Sequence, residues 1–375
     1  MIGVYIHIPF CKQKCLYCDF PSYGGILRYK EAYVDALCRE IGASPYGGAV
    51  VDTVYFGGGT PSLLSTAEAV RIMTAVRKTF TVVPEAEVTF EGNPESLNGA
   101  YAADLAAAGV NRLSFGVQTF DDRLLRSLGR AHTAAMAREA VTAAVAGGIK
   151  NISVDLMYGL PGQTTDDVAA SVRRLLQLPV VHASVYSLIV EDGTPLQRLV
   201  AGGKVTLPGA AAVEAMGAIV RRQLAAGGFE HYEISSYAVK GRRSRHNSKY
   251  WQYLPYIGFG VSAHSFVGNR RWSNIANIPT YCERAGRETV AAEETVITRQ
   301  RAMEDYCFLA LRMKDGIDYV KFAAQFGCAI TEPFGRVLAS LEKQGLITGT
   351  ERGCRLSSAG LAYGNYVFGK FLQSE

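Results

Sequence analysis

The first half of the chain alternates between short apolar runs and longer helix-forming runs, and this alternation restricts the fold more than any other feature. The predicted strands are Gly3–Ile8, Val51–Phe56, Ala86–Phe90, Arg112–Phe115, Ile152–Met157 and Ala183–Leu188. The helices expected between them are Leu27–Gly42, Thr66–Phe80, Asn98–Ala107, Thr133–Ala146 and Thr164–Leu176. Such interleaving predicts an α/β fold with a parallel sheet. Six strands are too few for a closed eight-stranded barrel, so we expect a partial (β/α)6 barrel.

The pattern changes after about residue 205. A helix is expected over Ala210–Ala226, and an aromatic-rich stretch follows, from Tyr232 to Phe266. The end of the chain predicts two helices and a short hairpin, which is a winged-helix-like outline. These end elements are Arg301–Lys314, Thr331–Lys343, Leu346–Thr350 and Cys354–Leu356. We therefore predict a barrel over residues 1–205, a connecting region over 206–297 and a small C-terminal domain over 298–375.

Composition narrows the class of protein. No apolar run is long enough to span a bilayer, and the first residues lack a basic region and a cleavage site, so we expect a cytoplasmic protein. The net charge of +5 permits an anionic ligand or peripheral contact with a membrane surface. No basic run indicates a nucleic-acid partner. The sequence does not distinguish a monomer from a homodimer.

Three of the eight cysteines stand directly after the first predicted strand, as Cys11-Lys-Gln-Lys-Cys15-Leu-Tyr-Cys18. Thiolates at this spacing can bind three irons of one 4Fe–4S cluster and leave the fourth iron open. A zinc site is the competing interpretation, although structural zinc usually has four ligands; His7 is a possible fourth. The other five cysteines stand among apolar neighbours and are expected to be buried small side chains.

The stretch from Tyr5 through Cys11 to Phe20 resembles the radical S-adenosylmethionine (SAM) superfamily. Within it, the chain resembles the family of oxygen-independent coproporphyrinogen oxidases and HemW-type heme chaperones. The resemblance implies that SAM chelates the open iron. It also implies that a reductant such as flavodoxin or ferredoxin supplies the electron that cleaves SAM, and that heme is a further cofactor.

The resemblance also implies a SAM-binding shell, whose members follow successive predicted strands. Glycines let backbone N–H groups approach an anion closely, and a forked Arg suits a carboxylate. Tyr5 and Tyr17 flank the cysteine loop, and Ile189 is assigned only by counting along the chain. The remaining residues carried over are Gly58, Gly59, Thr60, Glu91, Gln118, Arg130 and Asp155.

Two features favour the chaperone branch of the family. Phe20 stands where the oxidases usually have a fourth cysteine, and the chain lacks their N-terminal extension. The motif His246-Asn-Ser-Lys-Tyr250-Trp251 resembles one proposed for heme binding, with His264 as a second candidate ligand. A histidine that is simply packed in the core remains the alternative for His246. The arginines at 242, 243 and 245 are candidates to meet heme propionates.

The sequence therefore predicts a heme chaperone that binds heme, a 4Fe–4S cluster and exchangeable SAM and passes heme to acceptor hemoproteins. No catalytic residue is assigned. The alternative is an enzyme, an oxygen-independent coproporphyrinogen oxidase that converts two propionates to vinyl groups. A third class, a winged-helix DNA-binding regulator, is disfavoured because the end region has few clustered Lys or Arg residues.

Overall fold

The computed structural model of the protein describes residues 1–372. All six predicted strands form, and most are longer than predicted because their flanking residues also pair. The elements of the first part are β1 (Ile2–Ile8), β2 (Phe10–Cys11), β3 (Tyr23–Gly24), α1 (Lys30–Gly42), β4 (Val50–Gly58), α2 (Thr66–Thr79), β5 (Thr81–Gly92), α3 (Gly99–Ala107), β6 (Arg112–Gln118), α4 (Asp122–Ser127), α5 (Ala134–Ala146), β7 (Asn151–Tyr158), α6 (Thr165–Leu176), β8 (His182–Ser187) and α7 (Pro195–Ala201).

The middle and end of the chain add short strands and helices. The middle contains α8 (Ala210–Ala226), β9 (Glu230–His231), β10 (Ser236–Ala238), α9 (Arg245–Trp251), β11 (Tyr256–Phe259), β12 (His264–Val267), β13 (Arg270–Asn274), α10 (Ile278–Arg284) and β14 (Ala291–Val296). The end contains α11 (Arg299–Ala310), β15 (Ile317–Asp318), α12 (Tyr319–Phe326), α13 (Thr331–Lys343), β16 (Ile347–Gly349), β17 (Gly353–Leu356), α14 (Ser358–Ala362) and α15 (Gly364–Gly369). Within residues 1–372, none of the helices combines the length and apolar character needed to cross a bilayer.

The main helices of the barrel begin at side chains that satisfy their free backbone N–H groups. Asn98, Thr133 and Thr164 each accept a hydrogen bond from a backbone N–H of the first turn of the helix that follows. Ser65 and Glu68 form a reciprocal capping box at the start of α2. These local signals explain why the predicted starts of these four helices lie within one residue of the observed ones, whereas α1 begins three residues after its predicted start.

One twelve-stranded sheet forms the body of the molecule, in the order β14-β13-β12-β11-β1-β4-β5-β6-β7-β8-β10-β9. The six predicted barrel strands are consecutive neighbours in it and run parallel. Their carboxyl ends therefore meet at one rim, where βα-barrels carry their chemistry. This confirms the predicted partial barrel.

A seventh parallel strand was not predicted. β11 pairs with β1 in parallel, with Tyr256 opposite Gly3, and then β12 returns antiparallel. The sequence around Gly258 is rich in glycine, which has low strand propensity, so it did not predict a strand. Glycine is needed at 258, where an added Cβ would lie 2.3 Å from the carbonyl oxygen of His264.

The end region has its own hydrophobic core beside a three-stranded antiparallel sheet, β15-β17-β16. This agrees with the predicted winged-helix-like outline, to which the structure adds β15, α12, α14 and α15. Tyr253 and Phe266 of the middle region belong to the same core. The predicted boundaries at 205/206 and 297/298 stay a prediction, and residues 373–375 of the last predicted domain lie outside the described residues.

Candidate cofactor-binding site

A cavity of about 550 Å³ opens at the carboxyl rim of the parallel strands, and we call it the cluster cavity. The thiols of Cys11, Cys15 and Cys18 line it. Eight further predicted site residues line the same cavity: Tyr17, Gly58, Gly59, Thr60, Glu91, Gln118, Arg130 and Asp155. The structure therefore brings these residues together, while their individual roles stay predictions.

The cysteine loop is held to the barrel by backbone and side-chain contacts. The Leu16 N–H donates to the carbonyl of Leu128 (3.3 Å), and the carbonyl of Leu16 accepts from the Leu196 N–H (2.9 Å). The Tyr17 ring packs on a small apolar cluster that includes Leu124 and Met157. The loop is thus anchored between its cysteines, which fixes the positions of the three thiols.

Each thiol has a polar neighbour. The Thr60 hydroxyl donates to Cys11 Sγ (3.6 Å), Arg130 Nη1 donates to Cys15 Sγ (3.4 Å), and Ser22 Oγ lies 3.9 Å from Cys18 Sγ. Such neighbours can orient the sulfurs and hydrogen-bond them when they hold a cluster.

The thiols surround a space and do not converge on a point. Within the described range, 1–372, no group of three or more His, Cys, Asp or Glu side chains is placed to hold a single metal ion. A cuboidal cluster needs no such convergence, because each thiolate binds its own iron. His7 is committed elsewhere: its Nε2 donates to the carbonyl of Pro21 (2.8 Å), and its Nδ1 accepts from the Tyr5 hydroxyl (3.1 Å). The arrangement fits a 4Fe–4S cluster better than zinc.

The glycine turn after β4 lies directly against the cysteine loop. A Cβ at position 59 would stand 2.7 Å from the carbonyl oxygen of Phe10 and 3.0 Å from Cys11 Sγ. Gly58 has φ of +115°, which side chains other than hydrogen strongly disfavour. The backbone can therefore approach a ligand here only because both residues are glycine.

Charges of both signs face the cluster cavity. Burial raises the pKa of Glu91 to about 7 and that of Asp155 to about 6. Arg112 is 1% exposed, and its Nε and Nη1 have no hydrogen-bond partner in the described part of the chain; the same holds for Nε of Arg130. SAM carries a sulfonium, an ammonium and a carboxylate, so the two acids and the guanidinium nitrogens that have no partner in that part of the chain fit it.

Several lining residues were missed from the sequence. Arg112 is the first residue of β6 and was predicted only as part of that strand. An arginine next to an apolar run is nevertheless a sign of a functional side chain. Tyr55 and Asn93 were also missed. Tyr55 donates to Glu91 Oε1 (2.6 Å), and Asn93 Oδ1 accepts from Arg130 Nη2 (2.8 Å).

The predicted site residue Gln118 has φ of +69°, a strained backbone of the kind found at functional sites.

Tyr5 and His246 lie outside the cluster cavity. His246 is 1% exposed, with Nδ1 2.8 Å from Thr53 Oγ1 and Nε2 2.8 Å from the Tyr250 hydroxyl. Burial lowers its pKa to about 3, so the imidazole is neutral. Its assignment to heme stays a prediction. Ile189 is 66% exposed and does not line the cavity.

The His246 motif forms the short helix α9, whose start is fixed from a distant strand. The carboxylate of Glu87 on β5 accepts from the backbone N–H groups of Arg245 (2.9 Å) and His246 (3.0 Å). A carboxylate at a helix N-terminus is favoured by both hydrogen bonding and the helix dipole. This contact holds α9 beneath the rim with Tyr250 and Trp251 at its end.

A second cavity, of about 610 Å³, adjoins the first, and we call it the aromatic cavity. Phe20, Gly58, Glu91 and Trp251 line both cavities. Tyr5, His264 and Arg271 also line it. Its aromatic wall comprises Tyr250, Trp251, Tyr253, Tyr256, Phe266 and Phe308.

The arginines that precede the His246 motif do not reach this cavity. Arg243 pairs with Asp315 (2.8 Å), and Arg245 donates to the carbonyl of Glu85 (2.7 Å). Neither lines the aromatic cavity, whose arginine is Arg271. Their proximity to His246 in the sequence did not predict a place in the cavity, because α9 is buried whereas these side chains point to the outer surface.

Comparison with known proteins agrees with this geometry. Residues 5–175 match the radical SAM superfamily, and residues 297–363 match the HemN C-terminal domain. The chain is 37% identical to the heme chaperone HemW of Bacillus subtilis, over 99% of both chains. It is 34% identical to HemW of Lactococcus lactis, over 99% of this chain and 97% of the relative.

The fold is that of a solved radical SAM enzyme, coproporphyrinogen III oxidase (HemN) from Escherichia coli. The TM-score is 0.86 with 24% identity, over 99% of this chain and 89% of that one. The cofactors of the superfamily are a 4Fe–4S cluster and SAM, and the residues of the cluster cavity fit both. The resemblance predicted from the cysteine loop is confirmed: the chain belongs to the HemW family of radical SAM proteins.

Proposed function

We propose that this protein is a heme chaperone, which binds heme together with a 4Fe–4S cluster and exchangeable SAM and passes the heme to acceptor hemoproteins. The observation that carries the proposal is the 37% identity to a curated heme chaperone over 99% of both chains. The likeness to coproporphyrinogen oxidase, at 24% identity, concerns the fold alone.

The aromatic cavity supports heme as the cargo. Porphyrins are flat and largely apolar with two carboxylates at one edge, and ligand pockets of a few hundred Å³ with mostly apolar walls suit such molecules. Tyr253 and Phe266 pack with ring centroids 4.5 Å apart, and Tyr250 meets Tyr256 edge-on at 4.6 Å. Aromatic faces of this kind add stacking energy to the area they bury.

The adjoining cluster cavity gives the chaperone its second binding site. A cluster with SAM supplies one-electron chemistry when bound. The chain's own residues would hold the ligands: the three thiols the cluster, Arg112 and Arg130 the carboxylate of SAM, and Glu91 with Asp155 its cationic groups and ribose. Phe20, 63% exposed, stands where the two cavities meet.

Further partners follow from this role. An acceptor hemoprotein takes the heme, and a reductant such as flavodoxin or ferredoxin supplies electrons to the cluster. We expect the protein to act in the cytoplasm, with membrane contact limited to its periphery.

The test is an anaerobic titration of cluster-loaded protein with hemin, followed at the Soret band. Saturable binding is expected, and heme should then move to an added apo-hemoprotein faster than it dissociates unaided. Tyr256→Ala should weaken hemin binding because it removes part of the aromatic wall. Tyr46→Ala is the matched control, since Tyr46 stacks on Trp272 (centroids 6.1 Å) outside the aromatic cavity.

The same preparation also tests the alternative that the protein is a coproporphyrinogen oxidase. It is incubated with SAM, reductant and coproporphyrinogen, and 5′-deoxyadenosine and porphyrin products are measured. Absence of decarboxylated product above the SAM-only control is expected. Turnover of coproporphyrinogen without hemin binding would replace the chaperone by the oxidase.

A further inference from the structure

We propose that His264 is the protein ligand of the heme iron and that Arg271 binds a heme propionate, both within the aromatic cavity. The inference rests on the proposed heme-binding function and gives that site its iron ligand and its orientation. It also assigns His246 a different task, as a positioning residue that acts through Tyr250.

His264 is the one of the six histidines whose ring makes no hydrogen bond within residues 1–372, and its residue is exposed. The other rings are all bonded. His132 and His231 contact backbone carbonyls, and His182 bonds Ser153 and Tyr232. His7 and His246 use both nitrogens. A ligand for iron needs a free nitrogen lone pair that faces the cavity, and His264 meets this requirement.

Both ring nitrogens of His246 already have hydrogen-bond partners, so neither is free to bind iron. Iron could reach its Nε2 only by displacing the Tyr250 hydroxyl, 2.8 Å away, and its Nδ1 only by displacing Thr53. The His246 ring also stacks on Tyr55, with centroids 5.1 Å apart. Its contact with Tyr250 instead fixes one aromatic side chain of the cavity wall.

The strands β12 and β13 place His264 and Arg271 on one face. Side chains alternate along a strand, so His264 and Phe266 point to the same side, while Ser265 points away and bonds the N–H of Gly258 (2.9 Å). Arg271 lies directly opposite Phe266 in the antiparallel pair. Directly opposite residues share a face, and all three side chains line the aromatic cavity.

Arg271 has the capacity to bind a carboxylate. Its side chain is 37% exposed, its guanidinium lies 5.7 Å from the Phe266 ring centroid, and one Nη donates to Asp305 (3.0 Å). A guanidinium has five N–H donors, so donors remain for a propionate. Arg301 also pairs with Asp305, at 3.2 Å, which keeps that carboxylate compensated when Arg271 turns to heme.

The test compares hemin binding and heme spectra in cluster-loaded, full-length variants. His264→Ala and His264→Gln should shift the Soret band, alter the heme EPR signal and weaken binding by about tenfold or more, because losing even an outer support of a metal ligand costs that much. Free imidazole should restore the spectrum of His264→Ala, where space is open, and not that of His264→Gln. His246→Gln should keep the wild-type heme spectrum.

Arg271→Gln tests the propionate contact. Wild-type protein should prefer hemin to its dimethyl ester, and Arg271→Gln should lose this preference while its Soret position stays unchanged. An equal preference in both proteins would remove Arg271 from the site.

The failures are distinguishable. A wild-type protein that binds no hemin overturns the proposed heme-chaperone function itself. Wild-type binding with an unchanged spectrum in both His264 variants overturns only the ligand assignment, and loss of the spectrum in His246→Gln would move the ligand to His246. Iron content of the cluster and circular dichroism confirm that each variant is folded.

Discussion

The cluster cavity and the aromatic cavity share a wall and differ in almost everything else. The first is built mainly from the cysteine loop and strand ends before residue 190, with buried carboxylates and guanidinium nitrogens that lack a hydrogen-bond partner within residues 1–372. The second is built mainly from residues 250–310, which supply the six rings of the aromatic wall, an imidazole without a hydrogen bond in the described chain and one arginine. Buried charged groups of both signs indicate a small zwitterionic ligand, whereas an aromatic wall indicates a flat apolar one. The polarity of the lining therefore indicates a different class of ligand for each of two adjacent cavities.

The sharpest way to separate the two cavities is to remove a thiol. Cys15→Ser should abolish the iron–sulfur absorbance and most of the bound iron, because a cluster site with two thiolates is incomplete. Hemin affinity should change far less than the iron content, because Cys15 does not line the aromatic cavity. Cys38→Ser, a half-buried thiol of α1, is the control and should keep its cluster. Iron content equal to wild type in Cys15→Ser would contradict the assignment.

A smaller effect is expected from the buried guanidinium. Arg112→Met should weaken SAM binding to cluster-loaded protein by about 10- to 100-fold, because a hydrogen bond to a charged group contributes roughly 1.5–3 kcal/mol. Isothermal titration with SAM measures it. The comparison variant is Arg77→Met, whose guanidinium donates to the Ala108 carbonyl (2.9 Å) away from both cavities. SAM affinity unchanged in Arg112→Met would show that the unpaired nitrogens serve only the fold.

The two carboxylates predict a pH dependence confined to the cluster cavity. Burial holds the pKa of Glu91 at about 7 and of Asp155 at about 6, above their ordinary values, against opposing effects of Tyr55, Arg112 and Arg130. Their protonated forms favour the fold below about pH 4, and that contribution is lost as pH rises through about 6 to 7. Relative to the double variant Glu91→Gln, Asp155→Asn, cluster-loaded protein without SAM should therefore lose melting temperature between pH 5 and pH 8. The comparison cancels the opposite contribution of buried histidines such as His246, whose pKa is lowered.

Cationic SAM favours the ionised carboxylates, so its affinity should rise over the same pH interval. Thermal melts and SAM titrations at a series of pH values measure both trends. The double variant Glu91→Gln, Asp155→Asn should lack the carboxylate contribution, so its melting temperature should rise relative to that of the wild type between pH 5 and pH 8. An identical slope in that variant would place the pH dependence elsewhere in the protein.

The smallest expected effect concerns the support of the aromatic wall. Tyr250→Phe leaves Nε2 of His246 buried without its partner, which should lower the free energy of unfolding by about 1–3 kcal/mol. Denaturant unfolding measures it. Tyr256→Phe serves as the control, because the Tyr256 hydroxyl makes no hydrogen bond within the described chain. Equal stability of the two variants would mean that water replaces the lost hydroxyl.

Much of the cluster cavity could be predicted from the sequence, because the family resemblance implied its residues and its parts are local. Each strand end is a short run followed by its own polar residues, and helix caps such as Thr133 mark where the next element begins. The aromatic cavity was not, because its geometry depends on distant contacts. His246 is enclosed by Thr53, 193 residues away, and its helix begins at Glu87, 159 residues away. No local pattern reports such contacts.

The position of β11 has a consequence for synthesis and for truncation. β1 lies between β4 and β11, yet β11 is encoded about 250 residues later. At roughly 5–20 residues per second, β1 has only one neighbour for tens of seconds, and its other side is an open sheet edge. Open edges template pairing with other chains. A fragment that ends at residue 205 would keep that edge permanently, and we expect it to aggregate where the full chain does not.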